Sequence, residues 1–111
     1  MAIDLNADVG EGFADDERLL DVVTSANVAC GFHAGSAQTM RAVCALAAQR
    51  GVAIGAHPSY RDPDGFGRRQ LDVALDTLQA DVAEQLAALA GIAAEEGTEV
   101  TYVKPHGALY T

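Results

Sequence analysis

Lysine is almost missing from this sequence: Lys104 is the single one among 7 basic residues, which face 16 acidic ones. The resulting formal charge of -9 argues against a nucleic-acid binder, which needs a basic footprint. It argues equally against binding to an anionic membrane surface, and its plain consequence is solubility. Cysteine is scarce too, with Cys30 and Cys44 the only two. No basic region followed by an apolar run opens the chain. No apolar stretch approaches the ~20 residues of a membrane span. A cytoplasmic chain with reduced thiols is therefore expected. Low-complexity tracts are absent. With 111 residues, 50% of them hydrophobic, a single domain with a real core follows.

What is present is a regular alternation of elements. Residues Ala2 to Asp8 alternate apolar and polar and predict a short strand, broken by Gly10-Glu11-Gly12. Asp15-Asp16-Glu17 is an acidic start for a short helix carrying Leu19, Leu20, Val22 and Val23. Ala26 to Cys30 reads as a second strand. Ser36 is a good N-cap for a helix to about Arg50, whose Met40, Val43, Cys44 and Ala47 share one face; Gly51 stops it. Val52 to Ala56 is a continuous apolar run, as expected of a strand covered on both faces. Pro58 to Leu71 predicts a long loop, more often functional than idle. A long helix opened by Asp72 or Asp76 follows to about Glu96, with Asp76 the better cap because Asp76 and Gln79 fit a capping box, and with Leu75, Leu78, Val82, Leu86, Leu89 and Ile92 as its buried stripe. Glu99 to Val103 reads as the fourth strand. Strands alternating with helices predict an α/β fold with parallel pairing.

In such folds the site lies at the carboxyl ends of the strands. That places Asp8, Glu11, His33, His57, Lys104 and His106 along one rim. Each of the 3 histidines ends an apolar run beside Gly or Pro, so they recur at one topological position. Imidazoles there can bind a divalent metal, act as general acid or base, or polarise a carbonyl. Asp8, His33 and His57 are the candidate metal set, with Glu11 a further carboxylate. No two histidines have the close helical spacing of a zinc motif, so metal binding is the secondary expectation. Lys104, beside Pro105 and after an apolar strand, either favours its neutral amine or needs an anionic partner such as Asp8 or a substrate carboxylate.

Asp62 to Arg69 reads as a flexible loop in which glycines admit a ligand and Arg68 or Arg69 grips a carboxylate in a bidentate fork. Asn6 and Glu11 are further candidate substrate contacts. His33-Ala34-Gly35-Ser36 leads into a helix N-terminus that could hold an anion, without P-loop or dinucleotide spacing. Cys30, near His33, is read as a small buried residue before a nucleophile, and Cys44 as core.

Five stretches then resemble one family. They are Ile3 to Gly12, Thr24 to Gly35, Gly55 to Tyr60, Gly65 to Arg69 and Val103 to Tyr110, and together they resemble the LamB/YcsF family along the whole chain. Ala7 departs from it, standing where a cysteine is common. Members of that family resemble a distorted, seven-stranded (β/α) barrel related to glycoside hydrolases and deacetylases, smaller than the ~250-residue eightfold barrel. They run to roughly twice the present length, so residues 1–111 are expected to be the amino-terminal part of one barrel domain, with four strands and half of the rim. The resemblance implies hydrolysis of the lactam of 5-oxo-L-proline to L-glutamate, coupled to ATP (with Mg) as co-substrate, in an assembly with 5-oxoprolinase subunits B and C. Asp8, His33, His57, Lys104 and His106 are the residues on the rim whose chemistry suits that reaction, and catalytic roles are expected of them. A metal-dependent carbohydrate deacetylase is the enzymatic alternative. A non-catalytic half-barrel that self-associates through its open sheet edge is the other.

Overall fold

The computed structural model describes residues 3–11, 15–69 and 71–110. Ala2 and Gly12, read above as strand and loop, lie outside the described residues. Four strands alternate with three helices: β1 (Asn6–Val9), α1 (Asp16–Leu20), β2 (Ser25–Ala29), α2 (Ala37–Arg50), β3 (Ala53–His57), α3 (Leu75–Glu95) and β4 (Val100–Val103), followed by a short 3-10 turn at Gly107–Leu109. The strands pair in chain order, β1-β2-β3-β4, and every pairing is parallel. No helix among the described residues is long and apolar enough to cross a membrane.

The sheet has two unlike faces because side chains alternate along each strand. On one face Ala7, Val9, Ala26, Val28, Ile54 and Ala56 meet an apolar core supplied by Leu20 of α1, Met40, Val43, Cys44 and Ala47 of α2, and Leu89, Ile92 and Ala93 of α3. α2 begins at Ser36, whose Oγ accepts from the Thr39 amide at 3.2 Å, and ends at Gly51 with left-handed backbone. Its expected stripe is its buried one.

The opposite face carries Asn6, Asp8, Ser25, Asn27, Gly55, His57 and Tyr102, by register. β3 was expected to be sheathed in apolar residues on both sides; its second face instead meets this polar layer. Ile54 pairs with Val100 but Gly55 pairs with Tyr102, so Thr101 is one residue too many. The shift turns Tyr102 onto the polar face, which is what a bulge does beside a functional site. Its ring lies over Gly55, where any Cβ would collide with it.

Two readings of α3 need correction. The capping box at Asp76 does not form. The helix starts earlier, after Ala74, and Asp76 sits in its first turn, where Oδ1 accepts from the Thr77 amide at 3.2 Å. A carboxylate there still favours the helix dipole without being the cap. The apolar stripe is also only half buried. Leu89 and Ile92 enter the core, whereas Leu75 is 71% exposed, and Leu78, Val82 and Leu86 line a surface groove with Leu109. The buried positions all fall in the second half of α3, the half over the sheet.

Gln85 is fully buried in this helix and acts as a clamp. Its Oε1 accepts from the Ser59 amide at 2.9 Å, and its Nε2 donates to the Ser59 carbonyl at 3.0 Å. The chain just beyond His57 is thereby fixed by a side chain in place of a neighbouring strand. Gln85→Ala would leave both buried Ser59 backbone groups unpaired. It is expected to destabilise the chain by roughly 2–4 kcal/mol in chemical denaturation, about 1–2 for each orphaned group; a loss below ~1 kcal/mol would contradict the clamp.

Candidate functional site

The polar face is wired from strand to strand. In register, Asp8 of β1 stands beside Asn27 of β2. The Asn27 amide donates to Asn6 Oδ1 and to Asp8 Oδ1, both at 3.0 Å. Its own oxygen accepts from the Tyr102 hydroxyl at 2.6 Å. Burial pushes the Tyr102 phenol above its usual range, which keeps it a donor. Asp8 also accepts from Lys104 Nζ at 3.1 Å, so the lone lysine has the anionic partner expected for it. His57 Nε2 lies 3.5 Å from the other Asp8 oxygen. His57 first, then Asn27 and Lys104, hold the Asp8 carboxyl well below the usual carboxylate range, so it is ionised at neutral pH.

At the rim itself the three imidazoles meet. His33 and His106 stack, with ring centroids 3.6 Å apart and planes within 8°. His57 stands edge-on to both, at 89° and 84°. Glu11 Oε2 is 2.5 Å from His33 Nε2, 3.6 Å from His106 Nδ1 and 4.0 Å from His57 Nε2. His57 Nδ1 is bonded to the Lys104 carbonyl at 2.6 Å, and His106 Nε2 to the Phe66 carbonyl at 2.7 Å. A carbonyl can only accept, so each of these nitrogens carries its proton. Burial moves the His106 imidazolium pKa downward, favouring the neutral ring.

The loop over this cluster is stapled. Asp62, 2% exposed, accepts from the Gly65 amide at 3.0 Å and binds the Arg69 guanidinium through both oxygens. Gly67 bonds back to the Asp62 carbonyl at 2.9 Å. With φ at +68°, Gly67 leaves no room for a Cβ against His33 and His106. Phe66 has φ at +55°, a strained value for a non-glycine residue. Its carbonyl is the one that receives His106.

The predicted residues therefore separate by position. Asp8, His57, Arg68, Lys104 and His106 line one cavity of about 470 Å³, together with Tyr110. Asn6 lies instead in a second cavity of about 380 Å³, with Asn27, Tyr102 and Lys104. Glu11, expected at the substrate, faces the imidazoles. Asp8, expected among the metal ligands, lies just outside the tightest group: Glu11, His33, His57 and His106 each offer one ligand atom, all within 4.8 Å of one another. Arg69, expected to grip a substrate, is taken by Asp62, because a buried carboxylate needs a counter-charge. Arg68 stacks over Phe66 at 5.1 Å and keeps its place at the cavity. Cys30 is buried, donates to the Val28 carbonyl at 3.4 Å and is pushed up to about 11 by that burial, so it stays a thiol. Cys44 is core. Asn27 and Tyr102 escaped prediction, although a polar Asn inside an apolar strand was a usable signal; Gln85, on the same face as Leu89, was another.

The ionised Asp8 also makes stability depend on acid. Its folded-state pKa is depressed, so its contribution is complete above the ordinary carboxylate value of about 3.9 and is lost as pH falls below it. Asp8→Asn cannot titrate and should lose stability less steeply than the native chain from about pH 4 to pH 2. Thermal melts across that window measure it, and parallel acid limbs for the two proteins would contradict the assignment.

Comparison with known proteins fits this architecture. The model of the LamB/YcsF family matches residues 3–111. The 5-oxoprolinase A subunit of Streptomyces avermitilis is 67% identical over 113 aligned positions, which cover 97% of this chain and 45% of that protein. That of Mycolicibacterium gilvum is 60% identical, covering 98% and 45%. The crystal structure of the lactam utilization protein from Thermus thermophilus, 44% identical, superposes with a TM-score of 0.94 over 99% of this chain and 47% of its own. The chain thus spans about half the length of the relatives it matches, and its open parallel sheet is a partial (β/α) barrel. By sequence along its described length, and by the fold that carries its rim, the chain belongs to the LamB/YcsF family.

Proposed function

We propose that this chain is the amino-terminal part of one component of an ATP-dependent 5-oxoprolinase, which opens the lactam of 5-oxo-L-proline to L-glutamate together with subunits B and C. The names of its relatives, lactam utilization protein and the A subunit of 5-oxoprolinase, support this reading. The observation that carries it at the level of residues is the Asp8–Lys104 pair, 3.1 Å apart at the mouth of a cavity that Arg68 and His106 also line.

Ring opening consumes one water. Its oxygen becomes a carboxylate oxygen, the carbon–nitrogen bond breaks, and the ring nitrogen leaves as an amine that gains a proton. A lactam is a stable amide, so its carbonyl must be activated; phosphorylation of the amide oxygen by ATP, with Mg, is the route proposed, leaving ADP. Water then adds to the activated carbon, the carbon–nitrogen bond breaks to leave an acyl phosphate and the free amine, and a second water releases inorganic phosphate and the carboxylate. Negative charge develops on the oxygens of the tetrahedral carbon along the way. Lys104, oriented by ionised Asp8, offers its remaining N–H donors to that charge. Arg68 supplies the fork for the substrate carboxylate. His57 and His106 line the same cavity, and as free imidazoles, with no cation on them, they would serve proton transfer there.

Two outcomes test these roles in the full-length protein in complex with B and C, by glutamate release from 5-oxoproline and ATP. Lys104→Ala should lower kcat by about 10²–10³-fold, the cost of removing an oxyanion donor; normal turnover would overturn the role. Arg68→Ala should raise KM for 5-oxoproline more than tenfold, the loss of over ~1.4 kcal/mol of binding. Arg69→Ala should leave KM unchanged and lower the Tm, since it strands Asp62. Equal effects on KM from the two arginines would refute the division between them.

A further inference from the structure

We propose that Glu11, His33, His57 and His106 form a binding site for one divalent cation of the zinc class, with Asp8 outside the ligand set. The inference stands on hydrogen-bond bookkeeping and does not depend on the identity of the substrate.

His57 Nε2 and His106 Nδ1 face each other at 3.0 Å. The other nitrogen of each ring is spent on a backbone carbonyl, that of Lys104 for His57 and that of Phe66 for His106. When both rings are neutral each has one N–H, spent on its carbonyl, and the two facing nitrogens both present lone pairs; a second proton on His57 would instead let its Nε2 donate toward Asp8 or His106. Two lone pairs in buried rings at that distance repel unless a cation lies between them. Backbone carbonyls such as those of Lys104 and Phe66 are also the partners that fix the orientation of metal-bound histidines.

The second pair supports the same centre. His33 Nε2 and Glu11 Oε2 are 2.5 Å apart, close enough that they must share a proton, and an ion can take that proton's place. Among the described residues no partner holds the other nitrogen of His33, a residue only 1% exposed, so its proton can move there when Nε2 becomes a ligand. Zinc bonds of about 2.0–2.1 Å to nitrogen or oxygen imply tetrahedral ligand–ligand edges of about 3.3–3.4 Å. Four of the separations, 2.5, 3.0, 3.6 and 4.0 Å, bracket that edge, and all lie within 4.8 Å, so the ligand atoms must draw together, and the stacked His33 and His106 rings must tilt, for one ion to reach all four. Three imidazoles and a carboxylate suit zinc and its borderline neighbours better than calcium or magnesium, which prefer all-oxygen shells. Asp8 is turned toward Asn27 and Lys104, which both hold its Oδ1; its Oδ2 stays 3.5 Å from His57 Nε2, and Asp8 is not among the four residues whose ligand atoms all lie within 4.8 Å of one another. Since His57 and His106 line the larger cavity, the ion would border the space a substrate occupies.

The test uses the chain stripped with chelator and then titrated with zinc chloride by calorimetry, with metal content read by mass spectrometry. About one zinc per chain is expected, together with a rise in Tm on zinc addition and the visible bands of four-coordinate cobalt on cobalt substitution. His57→Ala and His106→Ala, checked for folding by circular dichroism, should each weaken binding by more than the 10–100-fold typical of losing a group that only orients a ligand. Asp8→Asn should keep the stoichiometry. A folded native chain that takes up no zinc or cobalt would mean that a shared proton bridges the histidines, and would overturn the proposal. So would zinc binding indifferent to both histidine variants, or lost in Asp8→Asn. None of these readouts involves turnover, so failure of the site and failure of the lactam-opening reading are separate results.

Discussion

Two backbone carbonyls, those of Lys104 and Phe66, govern the chemistry of this rim. Each takes one ring N–H, of His57 and of His106, and so aims the other nitrogen of each inward. Neither carbonyl is placed by local sequence preference alone. That of Lys104 is set by β3–β4 pairing, where the Lys104 amide bonds to the Ala56 carbonyl at 2.8 Å. That of Phe66 is set by the Asp62 staple, at the cost of a strained backbone at Phe66. Release either and the imidazoles are free to turn, and the acid–base or ligand character of the site goes with them.

The sheet underneath supplies the second constraint. Its helix-covered face is an ordinary apolar core, and the stability of the chain rests there. Its other face is a hydrogen-bonded layer in which Asn6, Asp8, Asn27 and Tyr102 satisfy one another. Such a layer is tolerable in a semi-buried position only because each polar group finds a partner. The register shift at Thr101 and the absent side chain of Gly55 let Tyr102 close the layer from β4. The end of the layer toward the strand carboxyl termini then passes directly into Lys104 and His57, so the support and the site are continuous.

Much of this was legible in the residues themselves. Alternation and helical periodicity located all four strands and three helices within a few positions, because each element buries one face against the same core. The parallel rule put Asp8, Glu11, His33, His57, Lys104 and His106 on one rim, and they converge there. The errors share a cause. Asp76 and Arg69 have the right chemistry for a cap and for a carboxylate fork, but a competing neighbour decides their use: an earlier helix start in one case and buried Asp62 in the other. Leu75 and Leu78 fit the apolar stripe, yet they stand at the start of α3 on a surface groove, away from the core that Leu89 and Ile92 enter.

What the sequence by itself determined is therefore the order of elements, the apolar side of each, and the strand ends at which reactive side chains stand. These depend on local periodicity and on topological rules that need no coordinates. Only the tertiary structure decided which of those side chains pair. Glu11 turned to the imidazoles, Asp8 to lysine and asparagine, and Arg68 to the cavity while Arg69 turned away. Those choices are set by distances between residues far apart in the chain, 96 positions in the case of Asp8 and Lys104, and by which buried charge or lone pair reaches a partner first. No pattern within a single stretch carries that information.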